Sequence, residues 1–141
     1  KDVKMGKINE NKVFNLISNN WPDRQISKSL NQFENYDFFD SAYRYELKSR
    51  RVSSTTYPTT LVPEMKCHKR TYLLFLFTDG LYYIRFKKDK FKNFEKKLFV
   101  RNREDKIDIK KEYYYIPIEK LKKINFESSI ITDDDFKVHF N

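Results

Sequence analysis

The feature that most constrains the fold is a nearly unbroken apolar run, Tyr72 to Phe77. Six residues is an ordinary strand length, and a strand without polar alternation is typically buried on both faces. Asp79-Gly80 follows it, a strong signal for a two-residue hairpin turn, and residues 81–86 predict the returning strand. We therefore expect a hairpin whose first strand lies at the centre of a mixed sheet.

Helices and another strand are predicted on either side of this hairpin. Apolar residues recur at helical spacing over residues 7–20, and Trp21-Pro22 ends that helix because proline disfavours helical backbone in the residue before it. Residues 61–69 predict a second helix, entered through a hydroxyl-rich cap, and residues 119–124 predict a short third one. Residues 113–118 predict a strand that its proline marks as an edge or an end.

The order of these elements predicts the α/β class, with a mixed β-sheet flanked by helices. Residues 1–141 have the length of one domain, and neither an internal repeat nor a linker divides them. Residues 87–112 form a basic segment that we expect to be partly irregular.

Composition excludes several kinds of site. The chain has only two glycines, which rules out a glycine-rich phosphate loop or a dinucleotide fingerprint. One cysteine and two histidines cannot form a zinc site alone, and a single cysteine forms no internal disulfide, which favours a reducing, cytoplasmic compartment. No apolar run reaches the length needed to cross a bilayer, so we expect no membrane partner.

The net charge of +9 favours a polyanionic partner, and nucleic acid is the commonest one. Basic residues with interleaved phenylalanines across residues 87–112 suit contact with a nucleic-acid backbone, and Arg101 and Arg103 alternate on a predicted strand there. The other interpretation is a solvated lysine-rich surface with no binding role. Composition leaves both open.

The residues that can carry chemistry are concentrated in residues 36–51, which predict two short strands joined by a tight turn. Asp37 lies on the first strand, while Glu46 and Lys48 lie on the second, where residues two apart point to the same face. A buried charge is costly unless it is paired or holds a metal. Two carboxylates on adjacent strands, with the Leu47 carbonyl as a third oxygen, suit Mg²⁺ or Mn²⁺. Lys48 would then stabilise negative charge developing on a phosphate.

Asp37, eight intervening residues and then Glu46-Leu47-Lys48 resemble the PD-(D/E)XK phosphodiesterase superfamily, which includes restriction endonucleases, Holliday-junction resolvases and phage exonucleases. The resemblance covers residues 7–86 and implies a restriction-endonuclease-like sheet. It implies a nuclease that acts on DNA with Mg²⁺ or Mn²⁺ held by Asp37, Glu46 and the Leu47 carbonyl. Lys48 would be catalytic, with Glu10 contributed by the leading helix and Lys66 by the helix after the hairpin.

The resemblance also extends beyond the metal centre. Arg50 and Arg51 would grip the nucleic-acid backbone, where arginine binds phosphate with two bonds. The string from Glu46 to Lys66 is similar to small nuclease-like proteins of phages and large DNA viruses, which implies a phage or viral source and an infected host cell. Many resolvase-like members are dimers, so a homodimer or a larger assembly is left open.

Each of these residues has an ordinary structural interpretation as well. Asp37 suits a turn, and Asp40 is its rival as the metal-binding aspartate, although only five residues separate Asp40 from Glu46. Glu46 and Lys48 suit an ion pair on a solvated strand, which contributes little to stability. Glu10 suits the first turn of a helix, where acids interact favourably with the macrodipole.

Two further residues and the function itself stay open. Lys66 suits a solvated helix lysine, and Tyr57 suits the core, with stacking on a base as the alternative. Three functions compete because a fold does not fix a function. They are a metal-dependent nuclease, a non-catalytic nuclease-fold component of a viral or other assembly, and a sequence-tolerant nucleic-acid binder that does not cleave.

Overall fold

The computed structural model describes residues 2–30, 36–103 and 106–125, with side chains for residues 8–30, 36–98 and 111–125. Helix α1 (Asp2–Asn20) ends before Trp21-Pro22, as predicted, and a single 3₁₀ turn (Pro22–Arg24) follows it. Among the described residues, no helix is both long and apolar enough to cross a membrane.

Most of the remaining described chain is β-structure, arranged in two sheets. The strands are β1 (Ser27–Lys28), β2 (Phe38–Phe39), β3 (Arg44–Ser49), β4 (Thr59–Pro63), β5 (Thr71–Phe77), β6 (Gly80–Arg85), β7 (Glu95–Arg103), β8 (Lys106–Pro117) and β9 (Lys122–Lys123). The first sheet has the order β1-β2-β3-β5-β6-β9, and the second has the order β4-β8-β7. Strands β3 and β5 are parallel and every other neighbouring pair is antiparallel, so the first sheet is mixed, as expected.

The apolar run is strand β5, and all seven of its residues are buried. It lies between β3 and β6, which confirms the prediction of a central strand and of the hairpin turn at Asp79-Gly80. Gly80 has φ = 151°, and a Cβ at this position would lie 2.8 Å from Cε of Lys123. The end of the exposed Lys123 side chain can move away, so it is the backbone conformation that favours glycine in this turn.

The two faces of the first sheet are covered by different layers. Val13, Leu16 and Ile17 of α1 pack on the face that carries Tyr45 and Leu74. The opposite face packs on the second sheet and on the short helix α2 (Lys88–Phe91), through clustered apolar side chains: Leu73, Phe75, Phe77, Val62, Ile116 and Phe91. The protein is thus a mixed α/β structure in which α1 covers one face and mainly strands cover the other.

The prediction of a helix over residues 61–69 was wrong. Residues Thr59–Pro63 form β4, and a 3₁₀ turn (Glu64–Lys66) follows. β-branched residues at positions 59, 60 and 62 favour an extended backbone, and β8 supplies the hydrogen-bonding partner. Because β4 is an edge strand, Pro63 at its end is tolerated.

The second half of the described chain holds more strand and less helix than predicted. Within residues 87–112, α2, β7 and β8 occupy most of the described residues, with a turn at residues 92–94, and β8 pairs with β4 on one side and β7 on the other. Residues 119–124 do not form a helix; a 3₁₀ turn (Ile118–Lys120) leads into β9, which pairs with Tyr82 and Tyr83 of β6. The strand over residues 113–118 is confirmed as the end of β8, which stops at Pro117.

Candidate active site

The predicted hairpin over residues 36–51 is confirmed as β2 and β3. Phe38 lies opposite Tyr45, and the Asp37 N–H donates to the Tyr45 carbonyl over 2.9 Å, so the ladder extends to Asp37. The Leu47 N–H in turn donates to Oδ2 of Asp37 over 2.7 Å. This register fixes the Asp37 carboxylate beside the stretch of β3 that carries Glu46 and Lys48.

Glu46 is the buried centre of a charged cluster. Its side chain lies on the face toward the second sheet, and the residue is only 6 % exposed. Nζ of Lys48 lies 3.6 Å from Oε1 of Glu46, and Nζ of Lys66 lies 3.4 Å from the same oxygen. Glu46 and Lys48 therefore form the ion pair of the structural interpretation, but the strand is not solvated at Glu46. Lys66 reaches the cluster from a 3₁₀ turn and not from the predicted helix.

We call Asp37, Glu46, Lys48 and Lys66 the acid–lysine cluster. Burial raises the pKa of Glu46, the nearby Asp37 carboxylate raises it further, and the two lysines act in the opposite direction without cancelling the rise. Burial also raises the pKa of Asp37, against the Leu47 N–H and the two lysines. The fold thus buries two carboxylates, Asp37 and Glu46, where their ionised forms are disfavoured. Such perturbed acids are typical of functional sites.

Asp40, the rival of Asp37, has a structural role in the turn between β2 and β3. Its Oδ1 accepts hydrogen bonds from the N–H groups of Ala42 and Tyr43, each over 2.7 Å. Its Oδ2 accepts a bond from the Tyr45 hydroxyl over 2.5 Å. Since its carboxylate is engaged within the turn, Asp40 is the turn aspartate, and Asp37 is the one that joins the cluster.

The other predicted site residues are not all brought to this cluster. Glu10 is half-buried on α1, the helix that packs on the opposite face of the sheet. Arg50 is half-buried between the sheets, where its guanidinium donates to Oγ1 of Thr60 over 3.0 Å and to the Leu61 carbonyl. Arg51 is exposed. Arg101 and Arg103 lie on β7, but their side chains are outside the described part.

The donor set fits a hard divalent cation. Among the described residues, no group of three or more His, Cys, Asp or Glu side chains is arranged to hold a metal. Mg²⁺, however, keeps several waters and is usually held by one or two carboxylates together with substrate phosphate. Asp37, Glu46 and the Leu47 carbonyl are oxygen donors of that kind, and the disfavoured charges on both acids would be relieved by a cation.

Tyr57 was expected in the core and is instead 63 % exposed. It lies in the loop that leads into β4, directly after a polar run that begins at Ser53. That run, followed by proline at position 58, is the signal that could have placed Tyr57 on the surface, because such segments are usually loops.

Comparison with known proteins leaves the function to be argued from this geometry. No protein-family model, no curated protein and no solved structure matches the chain.

Proposed function

We propose that the protein is a metal-dependent nuclease that hydrolyses phosphodiester bonds of DNA, with its centre at the acid–lysine cluster on a restriction-endonuclease-like hairpin. The observation that carries the proposal is the burial of Glu46 with Asp37 beside it and two lysine ammonium groups within 3.6 Å. A purely structural ion pair gains little from this arrangement, because the desolvation of several charges opposes their attraction.

Each residue of the cluster has a definite task under this proposal. Asp37 and Glu46, with the Leu47 carbonyl, would hold Mg²⁺ or Mn²⁺, which when bound activates water and neutralises charge on the phosphate. The Leu47 N–H holds Asp37 in place through its hydrogen bond to Oδ2. Lys48 and Lys66 stabilise the negative charge that develops as water attacks phosphorus and the bond to the leaving oxygen breaks.

The overall charge supports a nucleic-acid substrate. A net charge of +9 attracts a polyanion over a long range and raises its local concentration. The basic strands β7 and β8, with Arg101 and Arg103, and the exposed Arg51 are proposed to contact the phosphate backbone, which positions the substrate without reading its sequence. A second copy of the chain in a homodimer or larger assembly would lengthen that surface.

The test is a cleavage assay on DNA with Mg²⁺ or Mn²⁺ against EDTA, using Glu46→Gln and Lys48→Ala. We expect metal-dependent cleavage in the wild type and a loss of about 100-fold or more in Glu46→Gln, since changing even a residue behind a metal ligand costs about 10–100-fold. Lys48→Ala should lose cleavage while still binding Mn²⁺, which electron paramagnetic resonance measures independently of activity.

Matched controls are an exposed acid and an exposed lysine away from the cluster, Asp23→Asn and Lys122→Ala. Both should cleave at the wild-type rate. Cleavage at the wild-type rate in Glu46→Gln would remove the proposed centre. A folded wild type that cleaves no DNA would favour the non-catalytic alternatives, and salt-dependent DNA binding would then distinguish a binder from a structural component.

A further inference from the structure

A cavity of about 420 Å³ adjoins the acid–lysine cluster at Lys48. It opens between β3 and β4, and its walls are mainly apolar and aromatic. Lining residues include Lys48, Arg50, Tyr57, Thr59, Phe77 and Tyr113. This size is within the range of small-ligand sites, which are typically apolar with a few placed polar groups.

Tyr57 is held at the rim of this cavity by a braced loop. Ser54, near the start of the loop, donates to Asp79 through both its N–H, over 2.9 Å, and its hydroxyl, over 2.5 Å. At the other end, the Pro58 carbonyl accepts the Ile118 N–H over 2.9 Å. The loop backbone is therefore anchored on both sides of Tyr57, which reduces the backbone ordering that ligand binding would cost.

The polar groups of the cavity are cationic or hydroxyl-bearing. Arg50 is oriented by its bonds to Thr60 and Leu61 and lines the cavity beside Lys48, while Ser53 and Thr59 add hydroxyl groups. Cations beside an aromatic wall match a nucleotide, because phosphate is anionic and every base has a flat apolar face. A base paired within a duplex keeps both faces stacked and cannot enter, whereas an unpaired base can.

We propose that this cavity receives an unpaired nucleobase next to the scissile phosphate, with Tyr57 as its stacking surface, so that single-stranded DNA is the substrate. The inference deepens the proposed nuclease function and rests on it for the position of the scissile phosphate. The base seated beside Lys48 places its own phosphate toward the acid–lysine cluster. Arg50 and the hydroxyl groups orient the base edge.

The test measures binding in EDTA, so that it does not depend on cleavage. Fluorescence anisotropy follows labelled oligothymidylate of about 20 nucleotides, longer than a typical single-strand site, and a duplex of equal length. We expect the wild type to prefer the single strand, and Tyr57→Ala to weaken single-strand binding by about 5- to 150-fold, the value of one base–aromatic stack. Tyr57→Phe keeps the ring and should bind like the wild type.

A change in the DNA isolates the base from the phosphates, and two further variants test the position of the site. A strand carrying abasic positions keeps its charge but lacks bases, and its binding should not respond to Tyr57→Ala. Leu30→Ala removes an exposed apolar side chain elsewhere and should bind like the wild type. Thr59→Trp fills the cavity while leaving Tyr57 in place, and it should also weaken single-strand binding.

The outcomes separate this inference from the proposed function. If Tyr57→Ala binds single strands as tightly as the wild type, or if the wild type prefers duplex, the proposal that the cavity binds a base is wrong. If metal-dependent cleavage is then equal on duplex and single strand, the nuclease proposal survives alone. If single-strand binding depends on Tyr57 but no strand is cut with Mg²⁺ or Mn²⁺, the base site survives and the nuclease proposal fails.

Discussion

Tyr45 and Glu46 are neighbours on β3 and are 0 % and 6 % exposed, yet they face opposite layers of the molecule. Tyr45 packs with α1 and neighbouring aromatic side chains: its ring stacks on Tyr72 with centroids 5.4 Å apart and lies tilted against Trp21 at 5.9 Å. Glu46 meets Lys48 and Lys66. One strand thus contributes an apolar core on one side and buried charges on the other.

The difference shows that burial alone does not distinguish a residue that stabilises the fold from one that serves a site. On the α1 face the half-buried Arg24 donates hydrogen bonds to the hydroxyls of Tyr45 and Tyr72 and lies over the Trp21 ring at 4.4 Å. On the other face the two acids have pKa values raised by burial, so their charges remain disfavoured. Because both faces carry an apolar core, we infer that only the acid–lysine cluster, and not the whole face toward the second sheet, serves chemistry.

The largest expected effect is on the α1 face. Tyr45→Ala removes a fully buried ring and should lower the free energy of unfolding by about 3–5 kcal/mol, as other buried aromatic truncations do. Urea denaturation followed by circular dichroism measures it. Tyr57→Ala, which truncates an exposed tyrosine, should stay within about 0.5 kcal/mol of the wild type. Equal losses in the two variants would break the comparison.

The two aspartates of the hairpin should separate stability from activity. Asp40→Ala removes the acceptor of three hydrogen bonds and should lower the free energy of unfolding by about 1–3 kcal/mol, with cleavage per folded molecule unchanged. Asp37→Asn should leave the fold intact and reduce cleavage about 100-fold. Paired denaturation and cleavage assays decide this, and the reverse assignment would make Asp40 the functional acid.

Glu46→Gln should raise the free energy of unfolding by about 1 kcal/mol at pH 7. Gains of this size are common when a residue kept for function at a cost in stability is replaced. The pKa of Glu46 is higher in the folded state than in the unfolded state, so ionisation opposes folding. Protonated Glu46 therefore contributes stability that is fully present below its unfolded-state pKa. This contribution is lost as the pH rises through its folded-state pKa. The advantage of Glu46→Gln over the wild type should therefore vanish below about pH 4. An advantage that grows on acidification would contradict the sign.

The smallest expected effect is a shift of the acidic limb in the pH profile of cleavage. Under the proposed function, metal binding requires both acids to be ionised, and their raised pKa values should move the acidic limb of activity above about pH 4, where exposed carboxylates titrate. Initial rates at Mg²⁺ concentrations well below saturation, measured from neutral to acidic pH, locate that limb, because they report the acids of the metal-free protein. A limb at the ordinary carboxyl pKa would show that the buried acids do not control the rate.

Local patterns determined much of the fold. The apolar run gave β5, Asp79-Gly80 gave its turn, and the spacing of Glu46 and Lys48 placed them on one face, because these features depend on backbone periodicity and turn chemistry. The same spacing arguments identified Asp37 and Glu46 as a pair across adjacent strands.

The tertiary structure decided which ambiguous segments became strands and which distant side chains came into contact. Residues 59–63 form a strand because β8 supplies a hydrogen-bonding partner. Strands β7 and β8 form despite their charge because their backbone groups pair with each other and, in β8, with β4. The approach of Lys66 to Glu46, the burial of Glu46 and the exposure of Tyr57 all depend on how the second sheet packs against the first. Such contacts join residues far apart in the chain, and their energies exceed the small preferences that a sequence pattern expresses.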